Sequence, residues 1–94
     1  AQATLENPAD VFNEVVENVR GAYALGYIHG DLSEFNVMVD GRQAWLIDWP
    51  QWVDPAHPSA DEIIRRDVAN ICTYFIRKYQ LDISVEETLE RVVG

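Results

Sequence analysis

Ninety-four residues, 48% of them apolar and 24% charged, describe one small globular unit or a piece of one, and exclude a disordered or fibrous chain. A formal net charge of −9, with the acids scattered rather than gathered in a tail, argues against direct nucleic-acid binding by these residues and for a solvated negative surface that favours solubility or tolerance of high salt. No apolar run approaches the ~20 residues of a membrane span, Ala1-Gln2-Ala3-Thr4 has none of the regions of a signal peptide, and Cys72 alone cannot build a disulfide framework, so a reducing, cytosolic setting is expected.

Asn7, Pro8 and Asp10 have the order of a helix start, with a capping residue, proline at the first helical position and an acid in the first turn. A helix from about Pro8 to Leu25 is predicted, its stripe formed by Val11, Phe12, Val15, Val16, Val19 and Tyr23 and its stop by Gly26. Asn36-Val37-Met38-Val39 and Ala44-Trp45-Leu46-Ile47 are short runs rich in strand formers, predicted to pair as a hairpin joined through Asp40-Gly41. Between helix and hairpin, residues 29–35 fit neither period and are a loop.

Pro50, Pro55 and Pro58 predict a loop of about a dozen residues held extended. Ser59 with Glu62 has the spacing of a capping box, and Ile63, Ile64, Val68, Ile71, Cys72, Phe75 and Ile76 carry a helix to about Tyr79. Ser84 with Glu87 repeats the signal before a last short helix carrying Val85, Leu89, Val92 and Val93. The fold class is α+β, mainly helical with a small hairpin. A chain this short buries only about 60% of its unfolded surface, which points to a supporting neighbour.

The loop His29-Gly30-Asp31-Leu32-Ser33-Glu34-Phe35-Asn36 fits the kinase catalytic-loop pattern His-x-Asp-x-x-x-x-Asn, and Asp48 lies twelve residues beyond Asn36 at the far end of the hairpin. Phosphoryl transfer requires a carboxylate to orient or deprotonate the nucleophile, and an amide oxygen with a second carboxylate to hold Mg²⁺ against the phosphates. Asp31, Asn36 and Asp48 supply that set, and a hairpin brings its outer ends, hence Asn36 and Asp48, to one edge. Singly, each has an ordinary explanation: Asp31 as a turn former, Asn36 as a strand-entry cap, Asp48 as a turn initiator. The arrangement carries the functional reading.

His29 is expected to hydrogen-bond within the loop and pack on the core, and His57 to be exposed. Two histidines so far apart argue against zinc. Trp45, Trp49 and Trp52 are expected as local core rather than as a stacking surface. Arg65-Arg66 reads as a solvated charge run, whereas Asp67 falls on the apolar side of its helix. Burying Asp67 is costly without hydrogen bonds, and the catalytic-loop backbone is the expected partner.

Taken with Leu46-Ile47-Asp48-Trp49-Pro50-Gln51, His57-Pro58 and Arg66-Asp67-Val68, the loop resembles the RIO family of atypical protein kinases from about Gly26 to Tyr79, and Pro50-Gln51 is similar to its type-2 subfamily, in an archaeal-like form. The resemblance implies that residues 1–94 are the C-terminal lobe of a kinase-like fold and that Asp31 is the catalytic aspartate. It implies Asn36 and Asp48 as ligands of Mg²⁺ or Mn²⁺, with Asn36, Ile47 and Asp48 as the ATP-side contacts. Asp48 would also accept phosphate transiently, and His29 and Asp67 would brace the site. Family members act in maturation of the small ribosomal subunit, and type-2 members carry a winged-helix domain, so the implied partners are ATP, an N-terminal lobe and the pre-ribosomal small subunit.

This sequence departs from the family by lacking a glycine-rich loop and a strand lysine, so inactivity of these residues alone is expected. Trp49 replaces the usual phenylalanine, and the segment from Trp49 to Ala60 is too short for a conventional activation loop and peptide-docking region. Aminoglycoside and choline phosphotransferases share His-Gly-Asp-Leu and Ile-Asp-Trp but differ after it. A non-catalytic scaffold of kinase ancestry is the alternative of another class.

Overall fold

The computed structural model describes residues 7–33, 37–40, 43–46 and 52–94, with backbone only for 38–40 and 43–46. Among these residues three helices surround one core: α1 (Pro8–Ala24), α2 (Ala60–Tyr79) and α3 (Val85–Val93), with the antiparallel pair β1 (Val37–Asp40) and β2 (Gln43–Leu46) between the first two in sequence. Helix α1 lies against both α3 and β2, and α2 against α3.

The predicted stripe of α1 is buried from Val11 to Val19. Phe12 meets Phe75 of α2 edge-on at 5.3 Å between ring centres, and Phe75 in turn contacts Tyr74 and Tyr79, so one aromatic joins α1 to the end of α2. Leu32, from the loop after α1, is fully enclosed in the same core. Burial of apolar area at roughly 25 cal/mol per Å² is what holds such short elements together.

The ends of the helices depart from the sequence expectations in informative ways. Pro8 opens α1, but the Asn7 side chain makes no capping hydrogen bond; its carbonyl takes the Val11 amide at 3.1 Å instead. Ser59 likewise caps nothing with its side chain, because its amide is turned back to His57 Nδ1 at 3.0 Å and its backbone is not in the extended conformation a capping residue uses. Ser84 is extended (φ −122°, ψ 137°), and its hydroxyl accepts the Glu87 amide at 3.2 Å as the motif requires. Helix α1 stops where Gly26 (φ 96°) reverses the chain: its amide donates to Tyr23 O and the Tyr27 amide reaches back to Ala22 O at 2.9 Å. That six-to-one closure is open to glycine because a Cβ is disfavoured at positive φ.

The hairpin pairs Val37 with Leu46 and Asp40 with Gln43. Asp40 and Gln43 are therefore strand residues rather than part of the connection, while Asn36 and Ile47, the predicted outer ends, lie outside the described residues. The proline segment is not extended across its described part. His57 N donates to Asp54 O (2.9 Å), Ala60 N to His57 O (3.0 Å) and Ala56 N to Asp54 Oδ1 (2.8 Å), so two successive turns feed α2. Proline fixes φ near −65°, which suits turns as well as extended chain, and the Asp54 carboxylate tips the balance.

Trp52 is also not core: it is 49% exposed and stands edge-on to the exposed Tyr27 at 4.8 Å. The side chains of Trp45 and Trp49 lie outside the described residues.

Candidate active site

The loop that follows α1 is built by what holds each of its residues. Tyr27 closes the helix, and Ile28 then forms an isolated antiparallel bridge with Val53, with Ile28 N to Val53 O at 2.8 Å and Val53 N to Ile28 O at 2.7 Å. Two segments on opposite sides of the hairpin in sequence are thereby fixed together just ahead of the candidate catalytic residue. His29 is 3% exposed, and its Nδ1 accepts the Asp31 amide at 3.2 Å, which folds the loop around the imidazole. His57, by contrast, is exposed.

Gly30 has φ 88°, a region L side chains rarely adopt, and it turns the chain so that Asp31 projects outward while Leu32 returns to the core. Asp31 is exposed and Leu32 fully buried. An outward carboxylate on an anchored loop is the geometry a catalytic acid or base needs, since solvent and substrate reach it while its backbone cannot drift.

The anchor is α2. Asp67, with 0% exposure, accepts the Gly30 amide at Oδ2 (2.7 Å) and the Leu32 amide at Oδ1 (3.1 Å). Asn70, three residues on, donates from Nδ2 to Leu32 O at 3.1 Å, and Arg66 donates from its guanidinium to Gly30 O. Residues 66, 67 and 70 share a helix face through their three- and four-residue spacing, so one turn of α2 reads the polar backbone atoms of one loop. Burial pushes the Asp67 carboxyl above its ordinary range, opposed by the Gly30 and Leu32 amides and by the nearby His29 and Arg66.

Asp67 meets the loop backbone. Asn70 is an additional holder, its one sequence signal being its spacing from Asp67, and Arg66, which belongs both to the charge run and to the Arg66-Asp67-Val68 motif, grips the loop as well. Asn36, Ile47 and Asp48 lie outside the described residues. The described part of the strand pair reaches Val37 opposite Leu46, the neighbours in sequence of Asn36 and Ile47. Among the described residues no group of three His, Cys, Asp or Glu side chains is arranged for a metal ion. The amide and carboxylate oxygens of Asn36 and Asp48 suit a hard cation such as Mg²⁺, which completes its octahedron with water and phosphate.

Comparison with known proteins gives the family and the fold. Residues 1–88 match the model of the RIO domain family. The RIO-type serine/threonine-protein kinase Rio2 of Methanocaldococcus jannaschii is 46% identical over 78 residues, covering 82% of this chain and 28% of that protein. The Rio1 kinase of Haloferax volcanii is 34% identical over 94 residues, covering all of this chain and 32% of that protein. Similarity thus extends to both types. The chain spans about a third or less of the length of these relatives. Crystal structures of the Rio2 kinase from Chaetomium thermophilum share the fold: one gives a TM-score of 0.78 at 24% identity over 97% of this chain and 33% of that chain. The other, an ADP/Mg²⁺-phosphoaspartate complex of the same kinase, gives 0.76 over 96% of this chain and 31% of that one. A mainly helical fold with the architecture of a kinase C-terminal lobe, and a family match over nearly its whole length, place this chain in the RIO domain family of serine/threonine kinases.

Proposed function

We propose that residues 1–94 are the C-terminal lobe of an ATP-dependent RIO-type kinase or ATPase, working in the cytosol with an N-terminal lobe that supplies the rest of the nucleotide site. The observation that carries this reading is the exposed Asp31 on a loop whose backbone is gripped by Asp67, Asn70 and Arg66. Asp31 orients or deprotonates the acceptor. Asn36 and Asp48 are the ligands for Mg²⁺ or Mn²⁺, and Ile47 sits on the nucleotide side. Because the Rio2 kinase of Chaetomium thermophilum has been captured as a phosphoaspartate complex, Asp48 is assigned here as a transient phosphate acceptor: its carboxylate takes the terminal phosphoryl, ADP departs, and water later releases phosphate. Maturation of the small ribosomal subunit belongs to the same proposal and rests on the family resemblance.

The test is single-turnover ATP hydrolysis by the intact protein, with alkali- and hydroxylamine-labile protein-bound phosphate measured alongside. Asp31→Asn is expected to slow turnover by about 10²- to 10⁴-fold, the usual contribution of a positioned acid or base. Asp48→Asn is expected to abolish the bound phosphate. Tight Mg²⁺-ATP binding with no turnover in the unmodified protein would instead assign a scaffold role.

A further inference from the structure

A groove of about 570 Å³ runs along α2 beside the candidate catalytic loop, lined by Ser33, Asn70, Thr73, Tyr74, Arg77 and Lys78. That volume falls within the range of ordinary ligand sites. Asn70, Thr73, Tyr74 and Arg77 recur at three- and four-residue steps and so form one face of the helix. The groove is tied to the catalytic loop at its near end, since Asn70 holds the Leu32 carbonyl at 3.1 Å and Ser33 is two residues from Asp31.

The charge of this groove is opposite to that of the chain. The whole sequence has 16 acids against 7 Lys and Arg, yet the described lining contains two cations and no carboxylate. The other four described cations face acids or the loop backbone: Arg20 and Arg91 meet Glu17, Arg65 meets Glu86, and Arg66 meets the Gly30 carbonyl. Arg77 makes no hydrogen bond or ion pair among the described residues and is exposed. The Lys78 ammonium is 5.7 Å from the ring centres of both Tyr74 and Tyr79, which steadies it at the groove's edge.

We infer that this groove selects acidic polypeptide segments, seating a glutamate or aspartate of the substrate on Arg77 and Lys78 while a neighbouring serine or threonine reaches Asp31. The inference deepens the proposed kinase function and rests on it. A guanidinium pairs with a carboxylate through two parallel hydrogen bonds, and Asn70, Thr73 and Ser33 add polar groups suited to a peptide backbone. With the segment from Trp49 to Ala60 so short, α2 offers the extended surface next to Asp31 on which a peptide can lie.

Fluorescence anisotropy of the intact protein with three labelled probes tests this: a short peptide of glutamates around one serine, its lysine counterpart, and a short oligoribonucleotide. The acidic peptide is expected to bind, more weakly as salt rises. Arg77→Ala with Lys78→Ala is expected to weaken it about three- to tenfold, the effect of losing two exposed ion pairs. ATP hydrolysis by that double variant should stay at the unmodified level, since neither residue serves the nucleotide. Arg77→Glu with Lys78→Glu should reverse the preference toward the lysine peptide. Equal binding of the two peptides, preference for the oligoribonucleotide, or an affinity untouched by the double variant would each overturn the inference. Because binding is read without turnover, these outcomes leave the assignment of Asp31 standing, and loss of that assignment would show separately in the hydrolysis assay.

Discussion

Asp67 places its two carboxylate oxygens on the amides of Gly30 and Leu32, at 2.7 and 3.1 Å, so that one side chain brackets Asp31 from beneath. Replacing it by alanine leaves two amides without a partner in or beside the core. The expected cost is about 2–6 kcal/mol in chemical denaturation of the intact protein, from about one to three per orphaned group. Asp67→Asn should fall between alanine and the unmodified protein, because one amide would then face an NH₂ group.

The same residue sets a pH dependence. Burial raises the Asp67 carboxyl above its ordinary value, so the folded chain keeps a proton that the unfolded chain releases. Stability linked to this group is therefore fully present below the ordinary carboxylate range and declines as pH rises through the raised folded value. Denaturation midpoints measured across that window should show the slope in the unmodified protein and lose it in Asp67→Asn.

Asp31, exposed and engaged only through its backbone among the described residues, should behave in the opposite manner. Asp31→Ala is expected to leave the thermal midpoint almost unchanged, within about 0.5 kcal/mol, while turnover collapses. A large loss of stability would show that the carboxylate supports the loop instead of serving the reaction.

The two predicted helix caps offer a direct contrast. Ser84→Ala should cost about 1 kcal/mol because its hydroxyl accepts the Glu87 amide. Ser59→Ala should cost far less, its side chain capping nothing. Thermal denaturation of the two variants side by side measures the difference.

Phe75 links α1 to the end of α2 through the Phe12 ring, and Phe75→Ala should cost about 3–5 kcal/mol. Against a usual total of 5–15 kcal/mol, that loss should show as a large fall in the denaturation midpoint.

What was legible in the sequence follows the range over which each signal acts. The stripes of α1 and α2 repeat over many residues, and the family motif is a contiguous run, so helices, loop and hairpin could all be placed. The Ile28–Val53 bridge is a single pair across 25 positions and has no periodicity to betray it. Ser59 and Ser84 present the same spacing to Glu62 and Glu87, but only the backbone conformation decides which one caps, and at Ser59 the His57 ring has already claimed the amide. Asn70 and Arg66 look like ordinary helix-surface residues until the loop is laid over them.

Gly30 is held at both of its polar ends by consecutive residues of α2, its amide by the acid at 67 and its carbonyl by the base at 66. A loop displaced so that a carbonyl met Asp67, or an amide met Arg66, would set like against like. The pair thus matches one register of the loop by polarity and disfavours its neighbours, so the position of Asp31 is written into two adjacent residues of α2.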